Sequence, residues 1–332
     1  MTAVPDLAAD LGDEHEHEQQ LDGQDPDPYT ALLSRLSGQS VMRHFDAYAD
    51  VAWDAPEMAI DATDPRWELH PDDPLGATGW YRSRPQPTRA RIGLDSAVSK
   101  MKLGLEFEAV LKQGLIGFAS TLPNRSPEFR YAYHEVIEEA QHSLMFQEFV
   151  NRSGFDAAGM RRIERLGSRF IVTLGRRFPP LFFVFVLGGE DPIDYVQRRE
   201  LRRGRAIHPL LERIMRIHVT EEARHLSFAR HYLKRTVPGL RPAQRAALAI
   251  GAPLVLTVMG RMMLKPSSQL VHRYAIPPRV IAEAYTRNPA LHAEALACLR
   301  KVRRLWEELG LVTPAYRQLW KRLGIWEDLP AR

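Results

Sequence analysis

His134-Glu135-Val136-Ile137-Glu138-Glu139-Ala140-Gln141-His142 and His218-Val219-Thr220-Glu221-Glu222-Ala223-Arg224-His225 are the two stretches on which the reading of this chain turns. Each contains Glu-x-x-His, as Glu139 and His142 in the first and as Glu222 and His225 in the second. On a helix, residues three apart lie on one face, so a carboxylate and an imidazole so spaced can hold one metal ion. Chance supplies roughly one such match in a chain of this composition, and Glu14 with His17 already provides one, so a single match carries nothing. Two matches inside long amphipathic patterns carry more. Facing helices that each give a carboxylate and a histidine supply a metal pair.

Working outward, the surrounding pattern is helical. Apolar residues recur at steps of three and four through 96–120, 128–152, 158–176, 181–203, 205–236, 242–264, 278–285, 289–309 and 313–323. Breaks fall at Pro123 to Ser126, Ser153-Gly154, Pro179-Pro180, Pro238-Gly239 and Pro266. No alternating pattern competes, so the fold class is all-α: a ferritin-like bundle with extra helices, over residues 95–332. Residues 29–94 read as an N-terminal helix, over 29–50, followed by an irregular wrap. The wrap is rich in proline and holds Trp53, Trp67 and Trp80, which seek burial. Residues 1–28 are acidic and lack apolar periodicity, the composition of a disordered tail. The run Asp13 to Glu18 within it reads as a solvated acidic stretch rather than a metal site.

A bundle site for two metals needs a further carboxylate from each of two other helices. On the helix before the first motif, Glu106 and Glu108 are the candidates. Glu106 is preferred because it lies in line with Leu103, Val110, Gln113 and Gly114, whereas Glu108 with Lys112 four residues on has the spacing of an exposed ion pair. Between the motifs, the apolar run Phe182 to Gly189 ends in Glu190, and a buried carboxylate is costly unless it is paired or binds metal. Asp191 and Asp194 are the alternatives. His218 shares a face with Glu222 and His225, either as a third imidazole ligand or as a buried, hydrogen-bonded histidine. Carboxylates with imidazoles suit Fe, with Mn as substitute, better than a structural zinc site, which prefers thiolates.

The net charge of +4 hides an uneven spread, since nine acidic residues and no Lys or Arg lie within residues 1–30. Arginines crowd 161–177 and 198–205, which reads first as a solvated basic helix face. No nucleic-acid motif accompanies them. The single cysteine, Cys298, excludes an internal disulfide and an iron–sulfur cluster and fits a cytoplasmic protein. No secretory signal is visible, and the longest apolar run, Ala246 to Gly260, is short for a membrane span and broken by Pro253.

These motifs resemble the p-aminobenzoate N-oxygenase (AurF-like) family of ferritin-like diiron oxygenases. The likeness rests on Glu139-Ala-Gln-His142 continuing as Ser-Leu-Met-Phe-Gln-Glu-Phe-Val-Asn-Arg, on Gly189-Glu190-Asp-Pro-Ile-Asp-Tyr-Val-Gln197, and on His218-Val-Thr-Glu-Glu222-Ala-Arg-His225-Leu-Ser-Phe-Ala. It covers roughly residues 95–250, and the form His-x-x-x-Glu-x-x-His is its most specific part. The resemblance implies a ligand set of Glu106, Glu139, His142, Glu190, His218, Glu222 and His225, with no further side chain assigned to the chemistry. It also implies two iron ions, O2 as co-substrate, an external electron donor such as a ferredoxin or reductase, a homodimer, and oxidation of a small organic substrate. N-oxygenation of an arylamine is the family's characterised activity. The alternatives are hydroxylation or desaturation of an acyl chain, a ferritin-like ferroxidase, and a helical binding protein without metal. Phe182, Phe183 and Phe185 are read first as core and second as a substrate channel.

Overall fold

The computed structural model describes residues 27–203 and 207–327. The acidic tail expected over 1–28 lies outside the described residues except for its last two positions. Asp27 there does structural work. Its Oδ1 accepts from the backbone N–H groups of Tyr29 and Thr30, at 3.0 and 3.4 Å, and so caps α1 (Pro28–Met42). This helix is shorter than the sequence pattern predicts, and residues 43–78 follow as turns and two single-turn 3-10 segments. Two tryptophans of this wrap are buried as expected, and Trp80 is half-buried. Trp67 stacks on His208 with ring centroids 4.1 Å apart and meets Phe149 edge-on. Its carbonyl sits where a Cβ on Gly93 would stand, so the wrap touches the helix beneath it backbone to backbone.

After the short α2 (Gly79–Arg82) come the long elements: α3 (Gln86–Ala119), α4 (Pro127–Ser153), α5 (Arg162–Arg177), α6 (Pro179–Arg202) and α7 (Pro209–Thr236). Proline opens α4, α6 and α7, where its missing N–H costs nothing, and Gly154 ends α4 in the left-handed region at φ 69°. The helix α3 begins ten residues before the predicted 96, because Ala90, Ile92 and Leu94 already bury against the wrap. The boundary drawn at residue 94 therefore falls inside a continuous helix.

Helices α3, α4, α7 and α6 close a four-helix ring, in that order around it. α1 packs against α4 and α7, and α5 lies outside α3 and α6. The remaining helices, α8 (Pro242–Leu264), α9 (Ser268–Arg273), α10 (Pro278–Ile281), α11 (Pro289–Cys298), α12 (Arg300–Glu308) and α13 (Pro314–Arg322), form the outer layer. Of these, α8, α11 and α12 pack on α6, and α13 packs on α8. Among the described residues there is no strand, and the fold is all-α. The stretch Pro242–Arg273 is apolar and long enough to cross a membrane. It is interrupted between α8 and α9, and the inner side of α8 buries Leu248, Ala252, Leu256 and Met259.

Candidate metal centre

The four ring helices turn seven fully buried donors toward one another. Two groups of potential ligand atoms result, Glu108 with His142 and His218, and Glu139 with Glu190, Glu222 and His225. The groups share walls. One oxygen of Glu139 lies 3.2 Å from Nδ1 of His142 and the other 3.0 Å from Nδ1 of His225. Glu222 repeats the arrangement. Its Oε1 lies 3.5 Å from Nε2 of His218 and 3.6 Å from Nδ1 of His142, and its Oε2 lies 3.4 Å from Nδ1 of His225. Each of these two carboxylates thus offers one oxygen to each group.

The two histidines of the Glu-x-x-His motifs are held crosswise. Nε2 of His142, on α4, meets Glu221 of α7 at 2.9 Å, and Nε2 of His225, on α7, meets Glu138 of α4 at 2.8 Å. A carboxylate can only accept, so each Nε2 donates outward, and each Nδ1, which faces Glu139, is the nitrogen that would give up its proton to take a cation. Arg224 joins the two outer carboxylates, at 2.8 Å from Glu138 and 3.5 Å from Glu221. Burial works against ionised Glu138, but His225 and Arg224 outweigh it and pull its pKa down to about 2. Burial likewise disfavours a charged His142, yet Glu139 and Glu221 raise its pKa to about 10. The sequence reading passed over Glu138, Glu221 and Arg224. The missed signal is that both motifs are Glu-Glu-x-x-His, with the first Glu of each serving the histidine of the other.

Of the sequence candidates, Glu139, His142, Glu190, His218, Glu222 and His225 come together here. Glu106 does not, which corrects the preference for it. Its carboxylate accepts from the Met160 backbone N–H at 2.8 Å and pairs with Arg165 at 3.1 Å, tying the α4–α5 connection to the outside of α3. Glu108 takes the inward place. Two residues on a helix are about 200° apart, so only one of Glu106 and Glu108 can face the bundle axis. The inward stripe is Phe107, Glu108, Leu111, Leu115 and Phe118, all buried. Lys112 pairs with neither glutamate but donates to the Glu139 carbonyl at 3.0 Å and to Ser143. Asp191 and Asp194 are engaged elsewhere, with Arg230 and with Arg198 respectively.

The donors are short of partners. Both oxygens of Glu190 and Glu222, Oε2 of Glu108 and Oε1 of Glu139 are buried with no hydrogen bond. Burial, with Glu222 and Glu139 nearby, holds the Glu190 carboxyl well above the usual range, and burial with Glu139 does the same to Glu108. Burial also lowers His218 to about 4, favouring its neutral, ligating form. A cluster of acids and imidazoles so arranged is costly by itself and fits cations as its missing partners. One more acid lies close by. Glu135, one turn before Glu139, is fully buried with both oxygens unpaired, and burial pushes it up to about 8.

Residues 26–310 match the model of the family described as P-aminobenzoate N-oxygenase AurF. The chain belongs to this family. It is a family of diiron oxygenases, and the buried cluster is compatible with its metal site. Among curated relatives, an uncharacterized protein of Mycobacterium tuberculosis is 38% identical over 312 residues, covering 94% of this chain and 92% of that one. An uncharacterized protein of Mycobacterium bovis is 37% identical over the same shares.

Proposed function

We propose that this chain is an O2-dependent diiron oxidoreductase that oxidises a small organic substrate, with the amine nitrogen of an arylamine as the atom attacked. The observation that carries the reading is the double role of Glu139 and Glu222, each with one oxygen toward either donor group. Glu108, His142 and His218 would hold one iron, Glu190 and His225 the other, and the two shared carboxylates would bridge them. Two ferrous ions in such a site supply the electrons that activate O2.

The chain's own residues set the conditions. Glu221 and Glu138 accept from Nε2 of His142 and His225, which fixes each ring and leaves Nδ1 as the atom that would face the metals. The phenylalanines exclude water. Phe146 lies 5.5 Å from the His218 ring, and Phe107 stacks on Phe185 beside Gly189, next to Glu190. Phe182, Phe183 and Phe185 are packed among aromatic neighbours, which supports the core role over the channel role. The reading includes an external electron donor, a cytoplasmic location and a homodimer. For the last, α8 offers an exposed apolar stripe of Ile250, Leu254 and Val258 that a second copy would cover.

The test begins with protein made under iron supplementation. Metal analysis is expected to find about two iron ions per chain. Chemical reduction followed by O2 and a panel of arylamines is expected to give hydroxylamine and nitro products by mass spectrometry. A protein that takes up no iron would refute the reading. One that takes up iron but oxidises no amine would refute the amine as substrate.

A further inference from the structure

We propose that the outer face of α5 is the docking surface for an acidic one-electron carrier protein that reduces the metal pair. The inference rests on the diiron reading above and adds the partner and where it binds.

Three large apolar side chains, Ile163, Leu166 and Phe170, stand in one stripe along α5 and are 67%, 61% and 62% exposed. Large apolar groups in a row on a surface helix mark a contact face. Arg162, Arg169 and Arg176 flank them, also exposed. Two other arginines of this segment have partners, Arg161 on Glu164 and Arg165 on Glu106. Among the described residues no carboxylate pairs with Arg162, Arg169 or Arg176. An apolar centre beside unpaired positive charge suits a small, transient interface steered by charge.

Charge and placement select the occupant. A second copy related by a two-fold axis would bring the same unpaired arginines face to face. An acidic protein would instead neutralise them. Placement points to electron delivery. α5 lies directly on α3, with so little space that a Cβ on Gly175 would fall 2.1 Å from the Gly114 carbonyl oxygen. Arg165 pairs with Glu106, two residues from the inward Glu108. A carrier seated on α5 is thus separated from the donor cluster by two helices, α5 and α3, whose axes pack about 8–10 Å apart. Electron tunnelling falls steeply with distance, and from this face the path crosses two helices, the second of which carries Glu108. Each encounter oxidises one carrier by one electron and reduces one ferric ion to ferrous. Two encounters prepare the pair for O2.

The experiment compares the wild type with R162E/R169E/R176E and with the milder R162Q/R169Q/R176Q. Stopped-flow absorption follows reduction of the iron-loaded protein by a reduced acidic ferredoxin and, separately, by dithionite. Ferredoxin reduction is expected to slow by about tenfold or more in the Glu variant and less in the Gln variant, with the salt dependence flattened. Dithionite reduction and iron content should stay as in the wild type. An unchanged ferredoxin rate overturns the proposal. So does loss of binding to anionic phosphatidylserine vesicles without any change in ferredoxin rate, which would make the face a membrane contact. A shift in oligomeric state on F170S, read by sedimentation, would make it a self-interface and also overturn the proposal. Should the protein bind no iron, the diiron reading fails by itself. The docking face is then judged by binding of oxidised ferredoxin to the metal-free protein. Wild-type binding lost in the Glu variant sustains the surface, and absence of binding removes it.

Discussion

The two halves of the ring are built differently. In α4 and α7 the histidines of the two Glu-x-x-His motifs, His142 and His225, are each clasped by a glutamate from the opposite helix, and Arg224 ties the two clasps together. In α3 and α6 a single glutamate points inward from each helix, Glu108 and Glu190, with buried oxygens that no protein group holds. In the first half these two histidines are therefore held before any ion arrives. In the second, both oxygens of Glu190 and Oε2 of Glu108 have no hydrogen bond to fix them. On the proposed diiron reading, the difference would suit a centre that keeps its metals while their ligation changes.

The largest effect should come from the shared carboxylates. Glu222→Ala is expected to abolish binding of both ions, whereas Glu190→Ala should leave one, as counted by metal analysis. Equal losses in the two variants would erase the contrast between the halves. Next is the choice on α3. Glu108→Gln should release one iron, while Glu106→Gln should keep both and cost no more than about 1 kcal/mol in a denaturant titration, as for a partly exposed ion pair. The reverse outcome would restore the sequence preference. Loosening a clasp is a smaller change. Glu138→Gln should weaken iron binding about 10–100-fold in competition with a chelator, without abolishing it.

The last effect concerns Glu135 and depends on pH. Its pKa is usually 4.5 and is raised to about 8 in the fold, because burial penalises the ionised form. Between these values the folded state binds more protons than the unfolded state. Its stabilising contribution is complete below pH 4.5 and is lost as pH rises toward 8. Metal-free Glu135→Gln should therefore exceed the wild type in stability by about 1–3 kcal/mol at pH 8 and converge with it near pH 5 in chemical denaturation. A constant difference across that range would show that Glu135 is not the group responsible.

Legibility followed the same division. The convergence of the α4 and α7 candidates is legible because Glu-x-x-His is a local spacing that a helix turns into a shared face. Glu190 was readable from the apolar run before it, since burial of an acid there demands a partner. Glu108 was misread because its four-residue spacing to Lys112 looked like a surface pair, while Lys112 in fact reaches across to Glu139 and Ser143 on α4. The start of α3 was misplaced because its first ten residues bury against the wrap rather than against the bundle.

The sequence by itself determined the helices, their breaks, and the two motif faces that bring a carboxylate and an imidazole together. These depend on 3.6-residue periodicity and on proline and glycine, which act within a few residues. Only the tertiary structure decided which face of α3 looks inward and which glutamate holds which histidine. It also decided that α5 lies over α3 and α6 with its apolar stripe outward. Those outcomes depend on rotation of one helix against another, fixed by packing between residues distant in sequence.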